Sequence, residues 1–225
     1  MSGPDQFHMI YGFIAGPLMW LAFIVFLAGS VYRIGNMFFL INRREPFIYS
    51  YFSLPYALRS ILHWIIPFGT TSWRMHPVTT VMTFAFHLCL LIAPVFVTAH
   101  LVMLNHAWNI SWASLPALAA DLMTLIVIFC CLFFLGRRIY RREVRYLTTP
   151  SDYALLALAA APFITGFLAY HQAGDYRLWV ILHMLSGQLM LMAVPFTRLS
   201  HMLFGVFTRA YTGSEFGAVR NARDW

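Results

Sequence analysis

Five apolar runs dominate this chain, and each is long enough to cross a lipid bilayer, which takes about 20 residues of helix. They cover Met9–Tyr32, Pro77–Leu104, Leu115–Leu135, Tyr153–Tyr170 and Leu178–Phe207, and a connection spanning 33–76 separates the first two. Hydrocarbon offers the backbone no hydrogen-bonding partner, so each run must satisfy its amides and carbonyls within itself, as a helix. The expected fold is therefore all-α, an integral membrane five-helix bundle forming a single membrane domain over residues 1–225. Composition closes the alternatives. Hydrophobic residues make up 60% of the chain and charged residues only 10%, whereas a soluble domain carries about 25% charged residues. Such a surface in water would expose apolar patches well beyond the few hundred Å² that monomers tolerate. Soluble, disordered and nucleic-acid-binding readings are excluded, and the expected surroundings are membrane lipid.

The formal net charge is +7, and all 15 basic residues are arginine. Their placement reads as topology rather than as a site for a polyanion. Arg33, Arg43, Arg44, Arg59 and Arg74 fall between the first and second runs, and Arg137, Arg138, Arg141, Arg142 and Arg145 between the third and fourth. Arg209, Arg220 and Arg223 follow the fifth, while the opposite side holds only Arg177. The positive-inside rule then puts the N-terminus outside and the C-terminus in the cytoplasm. No positive charge precedes the first run and no small-residue cleavage site follows it, so that run is expected to be retained as a helix. Within the connection, 58–66 is amphipathic and suits a short interfacial helix. Thr149, Pro150 and Asp152 have the form of a capped helix start. The outer aromatics Trp108, Trp112, Trp179 and Tyr170 suit an interfacial belt. Cys89, Cys130 and Cys131 lie inside apolar runs without CxxC spacing, which gives no support for zinc, iron–sulfur or covalent haem.

Histidine is the informative excess, at nine. Imidazoles inside membrane helices are costly and point to function. His87 and His100 lie in the second run, His183 and His201 in the fifth. In an unbroken helix His183 and His201, 18 residues apart, are five full turns and about 27 Å apart on one face. That stripe suits two stacked haems, each needing one further histidine from a facing helix. Gly187, one turn after His183, leaves room for a flat macrocycle, and Arg198, one turn before His201, is placed to meet a propionate or to snorkel. His87 and His100 are 13 residues apart, about 20 Å of rise but roughly 140° apart in azimuth on an ideal helix. A kink at Pro94 would relieve that mismatch. His76 shares a face with His87 better than His100 does, but sits at the headgroup level before Pro77. His171 and His106 lie near the outer ends, where an exposed imidazole or a quinone contact both fit, and Asp121 is expected near an outer end facing water.

His183-Met-Leu-Ser-Gly187 followed by Pro195-Phe-Thr-Arg-Leu-Ser-His201, together with Phe86-His87-Leu88 and the arginine-rich loop leading to Thr148, Thr149 and Asp152, resembles the respiratory nitrate reductase gamma-subunit family. The resemblance covers about Phe84 to Phe207. It implies five helices, an outside N-terminus and two non-covalent b haems, with His87 and His201 holding the cytoplasmic-side haem and His100 and His183 the periplasmic-side one. The family's helix-two ligands are closer together than His87 and His100, and the lysine that the family uses near its quinol has no counterpart here. The long first connection and compact length resemble the branch of this family found in sulfate-reducing bacteria. By that resemblance the chain is expected in the bacterial inner membrane as an electron-transfer subunit rather than a complete enzyme. Its partners would be a cytoplasmic iron–sulfur subunit, other membrane subunits and periplasmic cytochromes c, with menaquinone as a further ligand. Two other expectations remain open on the sequence: an anchor with one haem or none, and a subunit relaying protons or metal through its histidines.

Overall fold

The computed structural model describes residues 4–225, and every regular element among them is helical. Helix α1 (Pro4–Phe13) continues through a π-helical turn at Ile14–Leu18 into α2 (Met19–Arg44). Pro17 sits inside that turn; it has no N–H to give to the preceding turn, and the ladder widens there instead of closing. Helix α2 runs well past the expected end at Tyr32. Arg43 and Arg44 occupy its last turn, where cations complement the carbonyl end of the helix dipole.

The connection folds into three short helices, α3 (Ile48–Tyr51), α4 (Leu54–Ile65) and α5 (Thr71–Met75). The amphipathic stretch around 58–66 is thus helical, as its spacing predicts, and starts with proline in its first turn.

The second run is two helices, α6 (Pro77–Phe96) and α7 (Thr98–Trp108), separated by Val97 in an extended conformation. A proline kink is expected at Pro94, but the ladder opens three residues later. Helix α8 (Ala117–Tyr140) and the short α9 (Arg142–Leu147) lead to α10 (Pro150–Tyr170). Helix α10 begins with a complete capping box, in which the Thr149 backbone N–H donates to the Asp152 carboxylate at 2.8 Å. Asp152 is buried and also lies 3.8 Å from Arg138, which ties the last turn of α8 to the start of α10.

The fifth run corrects an expectation. It is not one helix over 178–207 but α11 (Tyr176–Ala193), a turn, a 3₁₀ segment at Arg198–Ser200 and α12 (His201–Ser214), bent by 68° at the break. Pro195 removes a donor from the ladder, and its ring cannot fit against the carbonyl four residues back. Thr197 then restarts the helix: its hydroxyl bonds back to the Ala193 carbonyl at 2.8 Å and accepts from the Leu199 N–H at 3.2 Å. The five-turn rise between His183 and His201, and the common face it implied, therefore do not apply.

Among the described residues, four helices are long and apolar enough to cross a membrane, and the bent pair provides a fifth if it is one span. The chain is a multi-pass membrane protein. It divides into two compact units, Met1–Ile14 with Met82–Gly187, and Ala15–Val81 with Gln188–Trp225. In the first, α6, α8 and α10 meet through Cys89, Ala93, Val127, Cys131, Ala160 and Phe163. These are mostly small side chains, which suit close helix packing in lipid, where van der Waals contact replaces the hydrophobic drive. In the second, α4 lies against α12. A Cβ on Gly213 would come within 2.4 Å of the Ser60 Cβ and 2.6 Å of the Tyr56 carbonyl oxygen, so only glycine permits that approach. Ser214 seals the contact, accepting from the Ser53 N–H at 3.1 Å and donating to the Ser53 carbonyl at 3.2 Å.

Candidate functional site

The break at Val97 leaves the last four carbonyls of α6 without partners inside the helix, in surroundings where such groups are costly. Each finds a different donor. Ala93 O takes the Val97 N–H at 3.0 Å and Phe96 O the Leu115 N–H at 2.8 Å. Val95 O takes the Trp112 indole at 3.1 Å, and Pro94 O takes the His100 imidazole, Nδ1 to O 2.7 Å. His100 is therefore held by the carbonyl end of the helix that precedes it.

His183 is seated in the same manner from α11. Its Nδ1 donates to the carbonyl of Pro162 in α10 at 2.8 Å. The seat exists because position 166 is glycine: a Cβ there would lie 2.9 Å from both Nδ1 and Cε1 of His183. The two rings come together in the first unit, with centroids 5.8 Å apart and planes within 20° of parallel.

This geometry has a chemical reading. A carbonyl only accepts, so each Nδ1 carries the proton, and Nε2 keeps the lone pair that a metal takes. Metal-bound histidines commonly show this second hydrogen bond, which fixes tautomer and ring orientation. Two imidazoles on one ion, each at about 2 Å, place their ring centres about 6 Å apart, close to the observed separation. A Cβ added to Gly187, one turn beyond His183, meets nothing within 4 Å, which is the open space a flat group beside that helix requires. On these observations His100 and His183 have the residue type, tautomer and spacing that axial ligation of a haem uses.

His87, on α6 in the first unit, donates Nδ1 to the Thr83 carbonyl at 2.8 Å. His201 opens α12 in the second unit and donates Nδ1 to the Arg198 carbonyl at 2.9 Å. All four expected ligands thus share one tautomer-fixing bond. His63 makes a longer version of it to Gly69 O, at 3.2 Å, so the bond alone does not identify a ligand. Arg198 is exposed and contributes its carbonyl to the His201 contact. His76 caps the C-terminus of α5 and is exposed. Among the described residues no three His, Cys, Asp or Glu side chains gather to hold an ion, a test that a two-histidine axial site does not enter.

The positioning residues were not evident from the histidine spacing. Pro94, Pro162, Gly166 and Trp112 build the seats of His100 and His183; of these the sequence offered Pro94 only as a kink and Trp112 only as a belt aromatic. Asp121 does not simply face water. It pairs with His171 at the end of α10, Nε2 to Oδ1 3.2 Å, while the His171 ring packs on Phe167 at 4.4 Å.

No family model matches the chain, and no solved structure matches it. A protein from Nitratidesulfovibrio vulgaris (strain Hildenborough) is 37% identical over 215 residues, covering 94% of this chain and 95% of the relative. The chain belongs to the same family as that Nitratidesulfovibrio vulgaris protein.

Proposed function

We propose that this chain is a di-haem cytochrome b, the membrane subunit of an anaerobic respiratory complex in a bacterial inner membrane. The observation that carries the reading is the outer pair: His100 and His183, near-parallel at 5.8 Å, each with Nδ1 committed to a backbone carbonyl. Haem b bound there supplies reversible one-electron chemistry at its iron. The chain's own part is to present two neutral imidazoles in a fixed tautomer, to hold them apart at ligand distance and to keep water away with apolar helices. His87 and His201 are assigned to the second haem, by the resemblance and by the same Nδ1 bonds. Gly187 leaves space for a macrocycle and Arg198 is assigned to a propionate.

With the N-terminus periplasmic and the C-terminus cytoplasmic, as the arginine distribution supports, the outer pair serves the periplasmic side. Electrons would pass between that side, with menaquinone and cytochrome c partners, and an iron–sulfur subunit at the arginine-rich face. The origin of the relative in a sulfate reducer agrees with the branch that the sequence resembles.

A reduced-minus-oxidised spectrum of the detergent-purified protein, with pyridine haemochrome quantification, tests this. Two b haems per chain are expected. A colourless full-length protein, prepared with haem supplied during expression, overturns the reading. Reduction by a menaquinol analogue tests the quinone part separately, and haem that stays oxidised removes it.

A further inference from the structure

The second unit contains a cavity of about 500 Å³ that no part of the electron-transfer reading uses. It lies between α5, α12 and the last residues of the chain. Arg209 and Arg223 line it with the hydroxyls of Thr71, Ser72 and Thr212, and Trp64 closes one wall. Arg223 also lines a smaller cavity of about 220 Å³, shared with Arg59. The tail is held firmly. Trp225 lies between the His63 ring, 4.6 Å away and parallel within 3°, and the Arg59 guanidinium at 4.3 Å. Asp224 receives the Ser60 hydroxyl at 2.5 Å and the Arg209 guanidinium at 2.6 Å.

The polar accounting at this wall is incomplete. The Asp224 side chain is only 3% exposed, yet its Oδ1 has no hydrogen-bond partner among the described residues, and neither does the buried Nε of Arg209. A buried acceptor and a buried donor left unpaired are each costly. Of the charged side chains lining the cavities, Arg59, Arg209 and Arg223 are positive and Asp224 is negative. Arg74, whose guanidinium bonds Phe68 O and Thr71 Oγ1, adds a further positive charge nearby. Among these side chains the surplus is cationic.

We infer that this cavity binds a phosphate ester, through Arg223 and the hydroxyls of α5 and α12. In a multi-pass membrane protein the nearest source is an anionic phospholipid such as phosphatidylglycerol. Basic pockets at the ends of membrane helices recognise such head groups. The guanidinium and hydroxyl donors meet the phosphate oxygens with charge-assisted bonds. The site is independent of whether haem is bound.

Native mass spectrometry of the full-length detergent-purified protein, titrated with phosphatidylglycerol, phosphatidylcholine or inorganic phosphate, reads this directly. Phosphatidylglycerol adducts are expected to exceed phosphatidylcholine adducts, and Arg223→Gln should weaken them at least about tenfold, the scale of one hydrogen bond to a charged group. Arg223→Lys should restore part of the loss. If inorganic phosphate competes with the lipid, a soluble phosphate ester is the source and the anion site stands. Equal binding of both lipids, with no change in Arg223→Gln, overturns it. Thr71→Val, on the opposite wall, gives the same comparison if Arg223→Gln does not fold.

Discussion

Two of the helix breaks in this chain follow a proline and adjoin a histidine, yet they do opposite things. At Val97 the open carbonyls of α6 are closed by groups that come from elsewhere, the Trp112 indole, the Leu115 amide and the His100 ring. At Pro195 the closure is local, with Thr197 bonding both back to Ala193 and forward to Leu199. The first break gathers distant residues and brings His100 beside His183. The second re-aims a helix and leaves His201 at the start of a new one. A helix interruption is thus a site-building device only when its loose backbone groups are satisfied from a distance; satisfied locally, it changes direction and nothing else.

The largest expected effect separates the two regions chemically. His183→Ala should halve the haem content by emptying the outer site, and His201→Ala should empty the other while sparing the first. Loss of both haems in either variant, or of neither, would break the assignment. Gly166→Ala should nearly match His183→Ala in haem loss, although the histidine is still present, because the new methyl occupies the ring's seat at 2.9 Å. Gly187→Leu is the complementary probe: its side chain enters open space, so thermal stability should change little while haem retention falls. Smaller effects address the backbone. Trp112→Phe leaves Val95 O without its indole donor and should cost about 1–3 kcal/mol, measured by chemical unfolding. Thr197→Val removes the local cap and should cost about 1 kcal/mol without altering the spectrum of the outer haem. A spectral change there would show that the two breaks are coupled.

The sequence displayed the spans plainly, because an apolar run of about 20 residues has few other uses. The capping box at Thr149 and Asp152 and the helix around Leu58–Ile66 were also legible, since each is written in neighbouring residues. The extension of α2 to Arg44 was not. Arginines were counted as loop, but Arg33 stays helical, with its guanidinium over the Phe204 ring at 5.4 Å, a contact far off in sequence. Pro94 and Pro195 were both visible, and neither told where the ladder would open. Membrane helices tolerate proline when other groups re-satisfy the freed backbone, and those groups here are Trp112, Leu115 and Thr197. For the candidate site, the four histidines stood out as imidazoles inside apolar runs, although His201 is exposed in the structure. What was hidden was the seating of His183, because the Pro162 carbonyl lies on another helix and leaves no mark in the histidine's own surroundings.

The contact between α4 and α12 has a consequence for how the protein is made. Ser53 and Ser214 are 161 residues apart, so α4 leaves the ribosome long before the helix that receives it. At about 5–20 residues per second, the wait is roughly ten to thirty seconds. During that time an amphipathic segment has only the lipid head groups to rest on. This end of the molecule is therefore completed last, and a chain stalled before α12 should still carry an α4 open to protease, whatever the state of the helices already inserted.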